Sequence, residues 1–225
     1  MKTCILFGAL AIGILLTAST AHGKKCCCCE GLKEGVDSGS ADSATNDEMH
    51  NDHRSEYEEG GDSVSDSEGP QTPEMKLVFN LTNAYRRMVA KGEVENQPKS
   101  DKIHDLKWNN ELARMAQKHA SLCGYGHNTY GERQTKKFEW VGQNYAAYSS
   151  LEEDMEKWFN EHKYYHYDSN TCDTDEACGH YTQLVWADTT DVGCGWEECK
   201  DDDDTLYYLV CHYGPSGNEE NHRPY

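Results

Sequence analysis

The sequence predicts an α+β domain of roughly 150 residues, occupying the C-terminal two-thirds of the chain. Three observations carry this. Apolar residues recur at helical spacing in three separate stretches. Two short runs near the end alternate as strands around an acidic turn and read as a hairpin. Six cysteines are spread through the same region, as in a disulfide-stapled fold. The domain is assigned to residues 71–225.

Each element has its own signal. Pro73 stands at a first helical position, and Val78, Leu81, Tyr85, Met88 and Val89 form an apolar face that Gly92 ends. Asn80-Leu81-Thr82 on this helix is a glycosylation sequon. Leu106, Trp108, Leu112, Met115, Ala116 and His119 mark a second helix from about Asn109 to Leu122, closed by Cys123. Gly124 to Thr135 reads as a loop and contains His127. Trp140 to Tyr148 reads as a buried extended segment and holds Gln143. Ser150-Leu151-Glu152-Glu153 has the form of a capping box. It opens a helix with Leu151, Met155, Trp158, Phe159 and His162 on one face and Glu161 on its flank. Val192, Cys194 and Trp196, then Leu206 to Cys211, are the hairpin strands; Glu197 to Thr205 reads as the acidic turn, with Asp201 to Asp204 as its solvated tip. Gly214-Pro215-Ser216-Gly217 is turn chemistry that closes the core.

The N-terminal third differs. Lys2, the apolar run Cys4 to Leu16 and small residues at Ala18, Ser19, Ala21 and Gly23 predict a secretory signal over residues 1–23. The mature protein is therefore expected to be exported and extracellular. Residues 24–70 hold a cluster, Cys26, Cys27, Cys28 and Cys29, followed by an acidic stretch rich in Ser, Gly and Asp. That stretch has too little apolar surface to offset its ordering entropy, which predicts a disordered linker. Adjacent cysteines pair poorly with one another. The cluster is open to three readings: bridges between chains giving a disulfide-linked oligomer, metal binding, or neither.

Charge narrows the function. The chain carries 21 Lys+Arg against 40 Asp+Glu, a net charge of −19, which disfavours nucleic acid as a partner. Of the 11 Cys, the six spaced ones allow 15 pairings by sequence alone, with Cys172 and Cys178 the economical local bridge. His180 lies in Gly179-His180-Tyr181-Thr182-Gln183-Leu184-Val185-Trp186, close to several of these cysteines. It reads either as a core histidine bonded to a backbone carbonyl or as part of a preorganised site.

That block, followed by Cys211-His212-Tyr213-Gly214-Pro215-Ser216-Gly217-Asn218, resembles the two signatures of the CAP superfamily. This group includes the cysteine-rich secretory proteins, insect antigen 5, plant pathogenesis-related proteins and venom-allergen-like proteins. Asn83-Ala84-Tyr85-Arg86 and Gly142-Gln143-Asn144 are similar to further family blocks, with Gln143 in place of the family's Glu. The resemblance implies a three-layer α-β-α sandwich with a disordered acidic N-terminal extension. It implies a central cleft formed by His127, Gln143, Glu161 and His180. His127, His180 and Glu161 are then the ligand set for a weakly held divalent cation, zinc or another, that the fold does not require. It suggests the bridges Cys123–Cys199, Cys172–Cys178 and Cys194–Cys211. It implies a protein that binds small lipids, sterols, or host and partner proteins. The alternative is a metal-assisted hydrolase using His127, His180 and Glu161. Neither a His-Glu-x-x-His helix nor a Gly-x-Ser-x-Gly elbow is present in the sequence.

Overall fold

A computed structural model describes residues 69–201 and 204–225. The signal, the four-cysteine cluster and nearly all of the acidic stretch lie outside the described residues.

Helix α1 spans Pro73–Lys91. The Thr72 hydroxyl accepts from the Met75 N–H at 3.2 Å, and Gly92 closes the helix at φ +74°, a left-handed conformation that glycine adopts without strain. Strand β1 is short, Lys107–Trp108. Helix α2 spans Asn110–Ala120, capped by Asn109, whose Oδ1 accepts from the N–H groups of Glu111 and Leu112. Between α2 and strand β2 (Gly142–Tyr148) comes a single helical turn, α3, at Tyr130–Arg133. Helix α4 covers Leu151–Asn160 and runs on into a 3-10 turn at Glu161–Lys163. Two-residue strands β3 (Tyr165–His166) and β4 (Thr171–Cys172) pair locally. Helix α5 is Gly179–Leu184. The long strands β5 (Asp191–Asp201) and β6 (Asp204–Gly214) complete the fold.

The main sheet has the order β1-β5-β6-β2. β1 runs parallel to β5; the β5–β6 and β6–β2 pairs are antiparallel. Side chains alternate across it. On one face Ala146, Leu209, Cys211 and Tyr213 pack with Val78, Val89, Met155, Trp158 and Tyr181 of α1, α4 and α5. On the other, Tyr145, Tyr208 and Val210 pack with Ala116 and Ala120 of α2. The result is the three-layer sandwich that the resemblance implies. α2 lies directly on β5 at two glycines: a Cβ on Gly193 would stand 2.2 Å from the Ala113 nitrogen, and one on Gly195 would stand 2.3 Å from the Gln117 Cα. Only glycine permits that approach.

Several local expectations need correction. The Gly124–Thr135 segment is not all loop, because it contains α3. The acidic turn is much shorter than expected: β5 continues through Glu197 and Glu198 to Asp201, and β6 resumes at Asp204. Ser150 does cap α4, accepting from the Glu153 N–H, but the Glu153 carboxylate reaches Ser149 rather than Ser150. The three bridges are Cys123–Cys199, Cys172–Cys178 and Cys194–Cys211.

Asp154 on α4 is fully buried, and neither carboxylate oxygen has a well-aligned hydrogen bond; the Tyr148 backbone is the nearest donor. Burial pushes its pKa up to about 8; the Tyr148 backbone pulls slightly the other way, and Glu153 pushes upward again. The folded chain therefore holds a proton here that the unfolded chain has released above about pH 4. Stability should fall as pH rises from about 4 to about 8, then level off. Asp154→Asn should flatten that slope and stabilise the domain at pH 8 by about 1–3 kcal/mol. Urea unfolding of both chains at pH 5 and pH 8 measures this; equal slopes would contradict it.

Candidate functional site

The structure places the four sequence-predicted residues as two hydrogen-bonded pairs. Glu161 follows α4 directly and is buried. Its Oε1 accepts from His180 Nδ1 at 2.6 Å, and its Oε2 accepts from the backbone N–H groups of His180 (2.9 Å) and Tyr181 (3.0 Å). Those N–H groups open α5, whose own N-cap, Cys178, offers no side-chain acceptor. A carboxylate from another element thus does the work of a cap and sits at the positive end of the helix. The His180 ring is 1% exposed and stacks on Trp158 at 5.9 Å. Its Nε2 is buried and makes no hydrogen bond.

The far end of α5 is held with the opposite sign. Arg86 of α1, fully buried, donates from Nη1 to the carbonyls of Leu184 and Trp186 (2.9 Å each) and from Nε to that of His104 (2.6 Å). Burial lowers its pKa to about 10, so the guanidinium stays charged at neutral pH. The first signature is tied to the second within this frame. Gln183 Oε1 accepts from the Gly217 N–H at 2.9 Å, and the Thr182 hydroxyl donates to Asn218 Oδ1 at 2.7 Å. Gly142 lies so close to Gln183 that a Cβ there would fall 2.0 Å from Oε1. Next to it, Asn144 Nδ2 donates to the His180 carbonyl.

The second pair belongs to the other face of the sheet. Gln143 Oε1 accepts from His127 Nδ1 (2.6 Å) and Arg133 Nη1 (3.3 Å). Its amide nitrogen donates to Asn128 Oδ1 (3.0 Å) and His212 Nε2 (2.9 Å). Two bonds given and two received match the capacity of a primary amide. His212 is opposite Gln143 in the β2–β6 register and fully buried. Burial first, then Arg133, His119 and His127, lower its pKa to about 3, so it is neutral. The loop carrying His127 is fixed by Gly126, whose carbonyl accepts from His119 Nε2 (2.6 Å) and the Tyr208 hydroxyl (3.1 Å). The two halves adjoin at Tyr145: its carbonyl accepts from Trp158 Nε1, and its ring meets the His127 ring edge-on at 4.7 Å.

Among the described residues, no three His, Cys, Asp or Glu side chains are grouped to hold a metal ion. Both Glu161 oxygens are engaged, and Gln143 brings no charge. The residues present do not fit a three-ligand centre of His127, His180 and Glu161. Two cavities lie away from these four residues. One of about 730 Å³ is lined by Tyr167, Asn170, Arg223 and Tyr225 among others, and none of the four predicted site residues lines it.

Sequence reasoning gave no role to Arg86, Arg133, Asn144 or His212. A signal exists for Arg86: it falls on the buried face of an amphipathic helix, where a cation needs partners.

Fold and site together define a disulfide-stapled α-β-α domain built around a clamped helix bearing a buried histidine. Residues 79–213 match the model of the cysteine-rich secretory protein family, CAP, and the chain belongs to that family. Venom allergen 5 of Vespula vidua is 36% identical over 178 residues, covering 73% of this chain and 85% of that protein. Peptidase inhibitor 16 of Mus musculus is 34% identical over 169 residues, and the chain spans only 31% of its length. Among solved structures, Schistosoma mansoni venom allergen-like protein 4 aligns with a TM-score of 0.62 at 33% identity, covering 69% of this chain and 95% of that one. NaASP2, solved with Zn2+, aligns with a TM-score of 0.57 at 25% identity, covering 70% and 90%.

Glu161→Gln should destabilise the domain by about 2–4 kcal/mol, because an amide cannot accept all three N–H bonds and places its own N–H against other donors. Urea denaturation followed by circular dichroism measures it; a change under about 0.5 kcal/mol would contradict the cap.

Proposed function

We propose that this chain is a secreted protein that acts by binding rather than by turnover, with small lipids or sterols and host or partner proteins as its ligands. One observation carries the choice: the Glu161 carboxylate and the Gln143 amide, the two groups set opposite the histidines of the central site, are engaged in holding the fold together. Glu161 holds His180 and the start of α5, and Gln143 joins His127, Arg133, Asn128 and His212. A general base must be available to take a proton, and an amide does not titrate. The metal-assisted hydrolase reading would need Glu161 released from α5, so no catalytic step is assigned.

Membership of the CAP family and likeness to the venom allergens support export and a binding role. Among the described residues, no helix is long and apolar enough to cross a membrane. The 730 Å³ cavity falls within the size range of small-molecule sites. Between α1 and α4, by contrast, Tyr85 stacks on Phe159 at 4.1 Å, so a lipid entering there must part those rings. Asn80 is exposed on α1, which supports its glycosylation, while Thr82 is buried with its hydroxyl bonded to the Val78 carbonyl. Cross-linking through Cys26–Cys29 remains a proposal for the segment outside the described residues, tested by comparing reducing and non-reducing electrophoresis.

The test uses the full chain, stripped of metal and supplied with cholesterol or a fatty acid, with and without zinc. It is paired with a turnover screen on ester, phosphate and peptide substrates. Wild type and a His127→Ala, His180→Ala double variant should both bind saturably, with turnover in neither. Zinc-dependent turnover lost in the double variant would contradict the proposal, as would the absence of saturable binding.

A further inference from the structure

Residues 222–225 lie against the domain as a bound peptide does. Three of their main-chain oxygens each receive a donor from the domain. Asn170 Nδ2 donates to the His222 carbonyl (3.2 Å), the Ala187 N–H to that of Pro224 (2.7 Å), and the Tyr167 hydroxyl to the main-chain oxygen of Tyr225. Asn170 is itself oriented by Tyr165, whose hydroxyl donates to its Oδ1 at 2.7 Å. Contacts of this kind hold an extended backbone whatever its side chains. The side chains are read separately. The Tyr225 ring is 8% exposed and stacks on Tyr167 at 4.8 Å. Arg223 donates from Nε to the Tyr167 carbonyl (2.9 Å) and from Nη2 to that of Asp168 (2.6 Å). Pro224 stands between them with a fixed φ, which lowers the entropy lost on docking.

The same segment is loosely bounded. It stands between two cavities of about 730 and 220 Å³, and Asn170, His222 and Pro224 line both. Residues 219–223, which lead into it and begin it, are exposed. The three bridges among the described residues all lie before it in the chain. A segment held by a few hydrogen bonds and one ring, with open space on both sides, opens at far lower cost than the sheet.

We infer that residues 222–225 are an autoinhibitory segment. They occupy in cis a groove walled by Tyr167, Asn170 and Ala187 that takes an extended basic-Pro-aromatic peptide, and a partner protein's segment of that pattern replaces them. This rests on the partner-binding part of the reading above and needs neither lipid nor metal. The tether holds the cis segment at an effective concentration on the order of millimolar, so a competing peptide binds the unmodified chain weakly.

Amide exchange in the unmodified full chain is the first test. The Ala187 N–H should exchange about tenfold or more faster than the N–H groups of β5 and β6. Exchange as slow as theirs overturns the inference, and this measurement needs no variant to fold. The second test uses a chain carrying Arg223→Ala and Tyr225→Ala, which vacates the groove and leaves its walls unchanged. The probe is the fluorescein-labelled peptide His-Arg-Pro-Tyr, followed by anisotropy. Saturable binding is expected, about tenfold or more tighter than to wild type. Adding Asn170→Ala should weaken it about fivefold. Absence of saturable binding by the vacated chain, with its circular dichroism matching wild type, overturns the inference, as does equal binding of a His-Arg-Pro-Ala peptide. No arm contains lipid or an enzyme substrate, so a failure here leaves the lipid-binding and turnover results standing.

Discussion

The structure depends on a carboxylate placed at the start of a helix too short to stand alone. α5 has six residues, and its cap residue supplies no side-chain acceptor. In isolation such a segment would not form, because nucleation costs more than so few hydrogen bonds return. Glu161 at one end and Arg86 at the other supply the missing partners, each with the sign that the helix dipole favours. Both come from distant elements, so α5 exists only when the layer that contains α1 and α4 has assembled.

Much else is positioned by that clamp. Through Gln183 and Thr182, α5 fixes the turn at Gly217 and Asn218, and through its His180 carbonyl it fixes Asn144 on β2. Because successive side chains on β2 alternate, fixing Asn144 on one face orients Gln143 on the other. The two halves of the site are thus connected through one strand, although their chemistry differs. One half holds an anion, Glu161, consumed by the fold; the other gathers basic groups around a neutral amide.

The sequence made the capped elements legible. Thr72, Pro73 and Gly92 frame α1, and Ser150 starts α4, because caps are local chemistry written in adjacent residues. Cys172–Cys178 was legible from its short spacing, while the other two bridges came from resemblance, since spacing alone leaves 15 pairings open. α5 was not legible as a helix: Gly, His, Tyr and Thr are weak helix formers, and its caps lie about 20 and 100 residues away. β1 is too short for any periodicity to show. The acidic hairpin reads as a turn because its charges lie on paired strands, and composition does not reveal cross-strand pairing. Arg86 and His212 were missed for a common reason. Period places each on a buried face, while polarity suggests exposure, and only the partners seen in three dimensions resolve the conflict.

The most direct measurement of the clamp is amide hydrogen exchange at His180 and Tyr181 in the unmodified protein. If Glu161 caps α5 as described, both N–H groups should exchange only through global unfolding, as slowly as the central strands. Exchange at the rate of an exposed loop, with the sheet still protected, would show that α5 opens on its own and that the carboxylate does not hold it.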